Sequence, residues 1–186
     1  MPMARSRNKD PQALRQSLLE FATHLIITQG LHGLTMDKVV KGTGISKGGL
    51  QYHFPTRQAL VDAVFDTTMQ QFLAEVEAEM AADTRPGLRA TRAYIRACCR
   101  EMSEQEVALN QGIMAALFAD PVLRERWADF INTRMPADDK GSDDGTTALF
   151  CRMAADGLCY ASLCNVHPMT ATQRETLVQR LLALTE

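Results

Sequence analysis

Apolar residues recur at three- and four-residue steps along almost the whole chain, and alternation of the kind a β-strand needs is nowhere sustained. That periodicity restricts the fold to packed helices. In "DPQALRQSLLEFATHLIITQG", Asp10 can cap and Pro11 can open a helix whose Leu14, Leu18, Phe21, Ala22, Leu25 and Ile26 share one face, and Gly30 can end it. Thr35 caps a short second helix with Met36, Val39 and Val40 on its apolar side, broken by Gly42 and Gly44. Ser46 caps a short third helix, which Pro55 stops near Phe54. Thr56 then caps a long fourth helix running to about Ala82, with Leu60, Val64, Phe65, Met69, Phe72, Leu73 and Val76 along its stripe.

"DTRPG" at 83–87 breaks the composition. Helical spacing resumes over about 86–102, 104–119 and 120–135. The acidic stretch 136–146 reads as a solvated loop, and two closing helices follow, over about 147–165 and from Thr170 or Thr172 to Leu184. The expected architecture is all-α with about nine helices.

Charge is distributed unevenly. Residues 1–57 carry eight basic side chains (Arg5, Arg7, Lys9, Arg15, Lys38, Lys41, Lys47, Arg57) against three acidic ones, a net +5, whereas the remainder carries 12 basic and 19 acidic, a net −7. A basic head on an acidic body suits a polyanionic partner. No apolar run approaches the ~20 residues of a membrane span, and "MPMARSRNKD" has no apolar core of a secretory leader. The five cysteines are odd in number and lack C-x-x-C spacing, which fits reduced thiols in a cytoplasmic protein rather than disulfides or a zinc site. No metal, cofactor or membrane partner is expected, and no catalytic triad, phosphate loop or H-x-x-x-H pair points to an enzyme.

Two short helices joined at Gly44 within the basic head outline a helix-turn-helix. On the second of them Leu50 and Phe54 make a single narrow apolar stripe, which turns the other positions outward. Lys47 can reach a base edge or a phosphate, and Gln51 can pair with adenine. Tyr52 and His53 can donate to phosphate oxygens, and Gly48 and Gly49 remove bulk so that the backbone can approach the duplex. Thr35, Ser46 and Thr56 mark helix starts whose amides favour phosphate, and Arg57 adds a cation. Arg5, Arg7 and Lys9 form a basic arm that can follow the minor groove.

The run "GLTMDKVVKGTGISKGGLQYHFPTRQAL", residues 33–60, resembles the DNA-binding segment of the TetR family of bacterial transcriptional regulators. The resemblance rests on a Ser-Lys-Gly opening, a His-Phe close and a Pro-Thr-Arg turn into the fourth helix. Gln51 stands where that family commonly has Tyr, and Gly49 where it often has a polar residue. The resemblance implies a DNA-binding domain over 1–57, a connecting fourth helix (56–82), and a ligand-binding and dimerisation domain over 58–186. It further implies a homodimer on a palindromic double-stranded operator and a small-molecule effector, apolar or cationic and amphipathic. "AADGLCYASLCNVHPMTATQRETLVQRLLAL" is similar to the closing helix pair of one subgroup, where family members dimerise.

Met69, Phe72, Tyr94, Cys98, Met102, Met114, Phe118 and Trp127 suit either a core or the walls of an adaptable pocket. Asp156, inside an apolar run, could answer a ligand cation. Leu149, Met153, Leu158, Leu163, Leu177, Leu181 and Leu182 carry more apolar surface than a small monomer readily hides, so they are the expected dimer face. The other readings are a helical enzyme or carrier with a coincidentally basic head, and a DNA-binding protein that answers to protein partners instead of a ligand.

Overall fold

The computed structural model describes residues 10–138 and 145–186. Arg5, Arg7, Lys9 and most of the acidic stretch lie outside them. Among the described residues nine α-helices follow one another without a strand: α1 (Pro11–Gln29), α2 (Met36–Thr43), α3 (Lys47–His53), α4 (Arg57–Ala82), α5 (Arg89–Cys99), α6 (Glu104–Ala119), α7 (Pro121–Asp129), α8 (Gly145–Cys164) and α9 (Ala171–Ala183). Contacts group them into two compact units. One is the chain as far as Thr67 together with Ala108–Ala119, and the other is Thr68–Val107 with Asp120–Glu186.

In the first unit the helix starts form where capping chemistry puts them. Asp10 Oδ1 accepts from Gln12 N at 3.0 Å, Thr35 Oγ1 from Lys38 N at 3.3 Å, Ser46 Oγ from Gly49 N at 3.1 Å and Thr56 Oγ1 from Ala59 N at 3.1 Å. Leu18, Ala22, Leu25 and Ile26 of α1 are buried with Leu34, Val39, Leu50, Phe54, Leu60 and Val64, so one core holds α1, α2, α3 and the first turns of α4. Gly44 ends α2 at φ 69°, in the left-handed region, with its N–H donating to Val40 O at 3.0 Å. Gly42 does not break the helix as its residue type suggests. It lies inside α2, and a Cβ there would fall 2.0 Å from Phe21 Cζ, so its missing side chain makes room for the α1 ring. Gly44→Val is expected to cost ~1–2 kcal/mol, because a β-branched residue resists left-handed backbone. A urea melt that leaves the midpoint unmoved would contradict this account of the turn.

In the second unit, Thr170 and Gln173 close a reciprocal capping box at α9. Asp120 caps α7 through the Val122 and Leu123 amides, and Pro121 takes the first position, where it costs no hydrogen bond. The single helix expected over 120–135 instead widens after Asp129 into a π turn, Phe130–Arg134. The buried Phe130 ring stacks at 5.8 Å on Trp127. Asp138, expected in a solvated loop, is tied down: its carboxylate accepts from Thr91 N at 3.0 Å and Thr91 Oγ1 at 2.6 Å. Among the described residues, no helix is long and apolar enough to cross a membrane.

Candidate nucleic-acid interface

The geometry of α3 follows from two side chains. Leu50 is fully buried and Phe54, which caps the helix end, is nearly so, and this pair holds α3 against the first-unit core. The face between them and solvent carries Lys47, Gly48, Gln51 and Tyr52, all exposed. Tyr52 is 81% exposed, an unusual setting for a large aromatic ring with no fold reason to be there. Its ring meets that of His53, half-buried, edge-on at 5.1 Å. A Cβ at Gly48 would meet open space, so that position thins the outer face as expected.

Two expected contacts sit differently. Gly49 turns inward: a Cβ there would lie 2.9 Å from Ile45 Cγ1, so the glycine serves the packing of α3 on the preceding turn rather than a close approach from outside. Arg57 is half-buried and spends its guanidinium on its own fold, with Nε donating to Leu34 O and Nη2 to Leu31 O, both at 2.7 Å. Both acceptors are carbonyls of the turn between α1 and α2, and Leu31 O also accepts from Leu34 N at 3.3 Å. The Thr35, Ser46 and Thr56 side chains are exposed at the starts of α2, α3 and α4, and each hydroxyl caps one amide of its helix. Two other cations of the described head, Lys38 and Arg15, are engaged too. Lys38 Nζ donates to Gln29 Oε1 at 2.6 Å, and the Arg15 guanidinium lies 4.9 Å over the Phe54 ring. Lys47 is therefore the basic residue that α3 presents outward.

The residues expected around a ligand divide between the units. Met114 and Phe118 belong to the first, where Phe118 is 72% exposed and so walls nothing within that unit. Met69, Phe72, Tyr94, Cys98, Met102, Trp127 and Asp156 belong to the second. There Phe72 meets Tyr94 edge-on at 5.5 Å and Trp127 at 6.5 Å, an aromatic cluster with Phe130 at its end. Met69, Tyr94 and Cys98 are buried, and Met102 is half-buried. The Tyr94 hydroxyl donates to Asp156 Oδ1 at 2.6 Å, and the Cys98 thiol approaches the same oxygen at 3.8 Å. Packing around the Asp156 carboxyl raises its pKa, opposed by these two donors and by Arg152. Burial pushes the Tyr94 phenol far above its ordinary value, with the Asp156 charge adding to the effect.

Arg152 escaped the sequence reading. Its guanidinium lies 5.3 Å over the Tyr94 ring, with Nε donating to Thr91 Oγ1 at 3.1 Å and Nη2 to Pro136 O at 2.9 Å. The available signal was its spacing, one helical turn before Asp156 on α8.

On α8 and α9 the expected dimer face is part exposed and part core. Leu149, Met153 and Leu177 are exposed, with Met153 at 63%, and Leu158 and Leu182 are half-buried. Leu163 and Leu181 are buried within their own unit, because they continue the inward rows of α8 and α9. Phe150, Tyr160 and Leu184 are exposed apolar residues the sequence did not single out. Among the described residues no His, Cys, Asp or Glu cluster has the arrangement of a metal site.

Among the described residues, nine helices that include a short outward-facing α3 define a helix-turn-helix protein with a helical body. Residues 18–64 match the family described as bacterial regulatory proteins, tetR family, and residues 88–186 match the tetracyclin repressor-like C-terminal domain. The chain belongs to the TetR family of bacterial transcriptional regulators, which are not enzymes. It is similar to the HTH-type transcriptional regulator LmrA of Bacillus subtilis (strain 168), at 31% identity over 107 residues, 55% of either chain. It is also similar to the HTH-type transcriptional regulator RutR of Escherichia coli (strain K12), at 28% over 119 residues, 64% of this chain and 55% of that one. The chain thus spans about half the length of the curated relatives it matches. Among solved structures, its fold is similar to a TetR-family member from Streptomyces coelicolor A3 (TM-score 0.66, 21% identity, 96% of this chain and 99% of that one). It is likewise similar to the multidrug binding protein EbrR in complex with malachite green (TM-score 0.69, 22% identity, 92% and 98%).

Proposed function

We propose that the chain is a ligand-responsive, DNA-binding transcriptional repressor, released from its operator by a small apolar or cationic amphipathic molecule. The observation that carries this reading is the orientation of α3: its two large apolar side chains are sunk in the core while Lys47, Gln51 and Tyr52 stand in solvent. A helix held by one narrow stripe and lightened by Gly48 fits the major groove of B-DNA. DNA binding falls to residues 1–57, ligand binding and dimerisation to 58–186, and α4 connects the two. A homodimer places two α3 helices on successive turns of one duplex face and so reads a palindrome. The effector reading draws on the Phe72–Tyr94–Trp127 cluster with the Asp156 carboxylate beside it, a pairing suited to flat amphipathic molecules. Such a molecule empties the operator only as far as it binds the non-DNA-binding form better.

The test begins with recovery of operator DNA by genomic pull-down and continues with titration by fluorescence anisotropy. Lys47→Ala and Tyr52→Ala are each expected to weaken binding by ~1–3 kcal/mol, about 5- to 150-fold, with folding unaltered. The logarithm of affinity should fall linearly with the logarithm of salt, with a slope of about −0.9 per phosphate contacted. Operator affinity unmoved in both variants would remove α3 as the reading element. A flat salt response would remove the polyanion argument.

A further inference from the structure

Three thiols converge where the end of α5 lies along α8. Cys98 and Cys99 are the last helical residues of α5 and both are buried. Cys98 Sγ sits 3.8 Å from Asp156 Oδ1 and Cys99 Sγ 4.0 Å from Ala155 O, so both reach the inward row of α8. Cys159 is one turn beyond Ala155 on that row and three residues beyond Asp156, which places it on the stretch of α8 that Cys98 and Cys99 meet, and Cys98 and Cys159 shift each other's titration. Cys159 is half-buried and is thus the most open of the three. Arg174 of α9 donates Nη1 to Cys99 O at 2.5 Å, which brings a permanent cation to the group. All three are free thiols in the structure.

We propose that Cys98 and Cys159 form a peroxide-oxidised dithiol site whose product is a disulfide joining α5 to α8. Cys159 is the attacking sulfur because it is the accessible one, and it is the thiol that its neighbours favour as thiolate. The hydrogen bond from Cys98 lowers its pKa, with Arg174 and Arg100 contributing, against burial and Asp156. Cys98 is pushed the other way, first by Cys159 and Cys99 and then by burial, so it keeps its proton until the second step, in which that proton is given up as its sulfur attacks. The Cys159 thiolate attacks one oxygen of hydrogen peroxide, the O–O bond breaks, and hydroxide leaves to take up the proton Cys159 released, giving water and a Cys159 sulfenic acid. Cys98 sulfur then attacks Cys159 sulfur, the S–S bond forms, the S–O bond breaks, and a second water leaves with the Cys98 proton. Two electrons pass from the thiol pair to one peroxide. The product removes the S–H that faces Asp156 Oδ1 and leaves the Tyr94 hydroxyl donating to that oxygen, so oxidation bears on the proposed effector region.

The test uses the full chain carrying Cys164→Ser. That change removes the exposed thiol and also resolves an ambiguity of digestion, since trypsin leaves Cys159 and Cys164 in one peptide, 153–174. One equivalent of hydrogen peroxide is expected to reduce the titratable thiols from four to two and to link peptide 97–100 to peptide 153–174, with a mass lower by two hydrogens and reversal by dithiothreitol. Peptide 97–100 contains both Cys98 and Cys99, so Cys98→Ser and Cys99→Ser separate them: the link should vanish in the first and persist in the second. Four thiols still titrating after peroxide would overturn the proposal, as would a link that survives Cys98→Ser or is lost with Cys99→Ser. If Cys98→Ser does not fold, the parent chain and Cys99→Ser decide between the same outcomes. These readouts are taken without DNA, so they stand or fall apart from the regulator reading.

Discussion

Asp83→Ala is expected to destabilise the second unit by ~3–5 kcal/mol, a large part of the ~5–15 kcal/mol that holds a typical domain. Arg92 is the largest fully buried side chain among the described residues, and Asp83 is its counter-charge, with Arg92 Nε donating to Asp83 Oδ2 at 2.7 Å. The two side chains are 1% and 2% exposed. The same carboxylate accepts from Arg85 Nη2 and Arg96 Nη1, both at 3.1 Å, and from the Arg85 amide at 2.9 Å. Arg92 also donates to the carbonyls of Thr185, Arg85 and Pro86, so it fastens the chain end and the α4–α5 connection to one point. Removing Asp83 leaves those carbonyls in place and strands a buried cation with no charge to balance it. Removing both members, as in Asp83→Ala with Arg92→Met, should cost less than Asp83→Ala alone, since no unpaired ion remains. Equal losses in the single and double variants would show that packing, not charge, sets the cost.

Acid tests the same cluster. The hydrogen bond from Arg85, then that from Arg92, hold the Asp83 carboxyl far below the usual carboxylate range, and desolvation opposes them more weakly. A carboxyl depressed in the folded state contributes stability that is complete above its unfolded pKa, ~3.9, and is lost as pH falls from there toward the folded value. The loss on acidification below about pH 4 should therefore be shallower in Asp83→Ala than in the parent chain. Urea midpoints read across that range by circular dichroism would show the difference.

The helix starts were legible because a cap is a local event. Asp10, Thr35, Ser46, Thr56 and the Thr170–Gln173 pair each bond within three residues, and the sequence places them together. The outward face of α3 was legible for a similar reason: Leu50 and Phe54 are the large apolar residues on so short a helix, and they fix its inward side. What failed was long-range chemistry carried by residues of ordinary local appearance. The acceptors of Arg57 are 23 and 26 residues away, so nothing beside it in the chain separates a structural guanidinium from a phosphate contact. "DTRPG" reads as a break in composition, yet its aspartate is buried, because the arginine that neutralises it is nine residues on. Thiol convergence was invisible for the same reason, with Cys159 some 60 residues along the chain from Cys98.

The dimer face shows a subtler limit. Periodicity tells which residues share a row but not which row a neighbouring helix of the same chain covers. On α8, Cys151, Ala155, Cys159 and Leu163 form the inward row, and Leu149, Met153 and Tyr160 form the outward one, with Gly157 between them presenting open space. On α9 the Leu181 carbonyl lies 3.7 Å from Cys151 Sγ, which places Leu181 inward, whereas Leu177 faces out. The residual apolar row is the surface that the proposed homodimer would cover, since contiguous exposed leucine, methionine and aromatic side chains are uncommon on a monomer. Leu149→Glu with Met153→Glu is therefore expected to yield monomers. Burying each original side chain contributes ~1.5–3 kcal/mol, and a two-fold interface repeats both, so on the order of 6–12 kcal/mol is lost before any charge repulsion among four introduced carboxylates is counted. Every ~1.4 kcal/mol is a factor of ten in dissociation, so a dimer of ~1 nM would weaken to about 20 μM at the low end of that range and far beyond it at the high end, and monomer should predominate at low micromolar chain. Sedimentation should show the monomer mass, with helix content retained. Operator affinity should fall together with it, because a lone α3 meets one half-site. A variant that remains dimeric would place the interface on another face, and a monomer that still binds the palindrome with parent affinity would detach dimerisation from DNA reading.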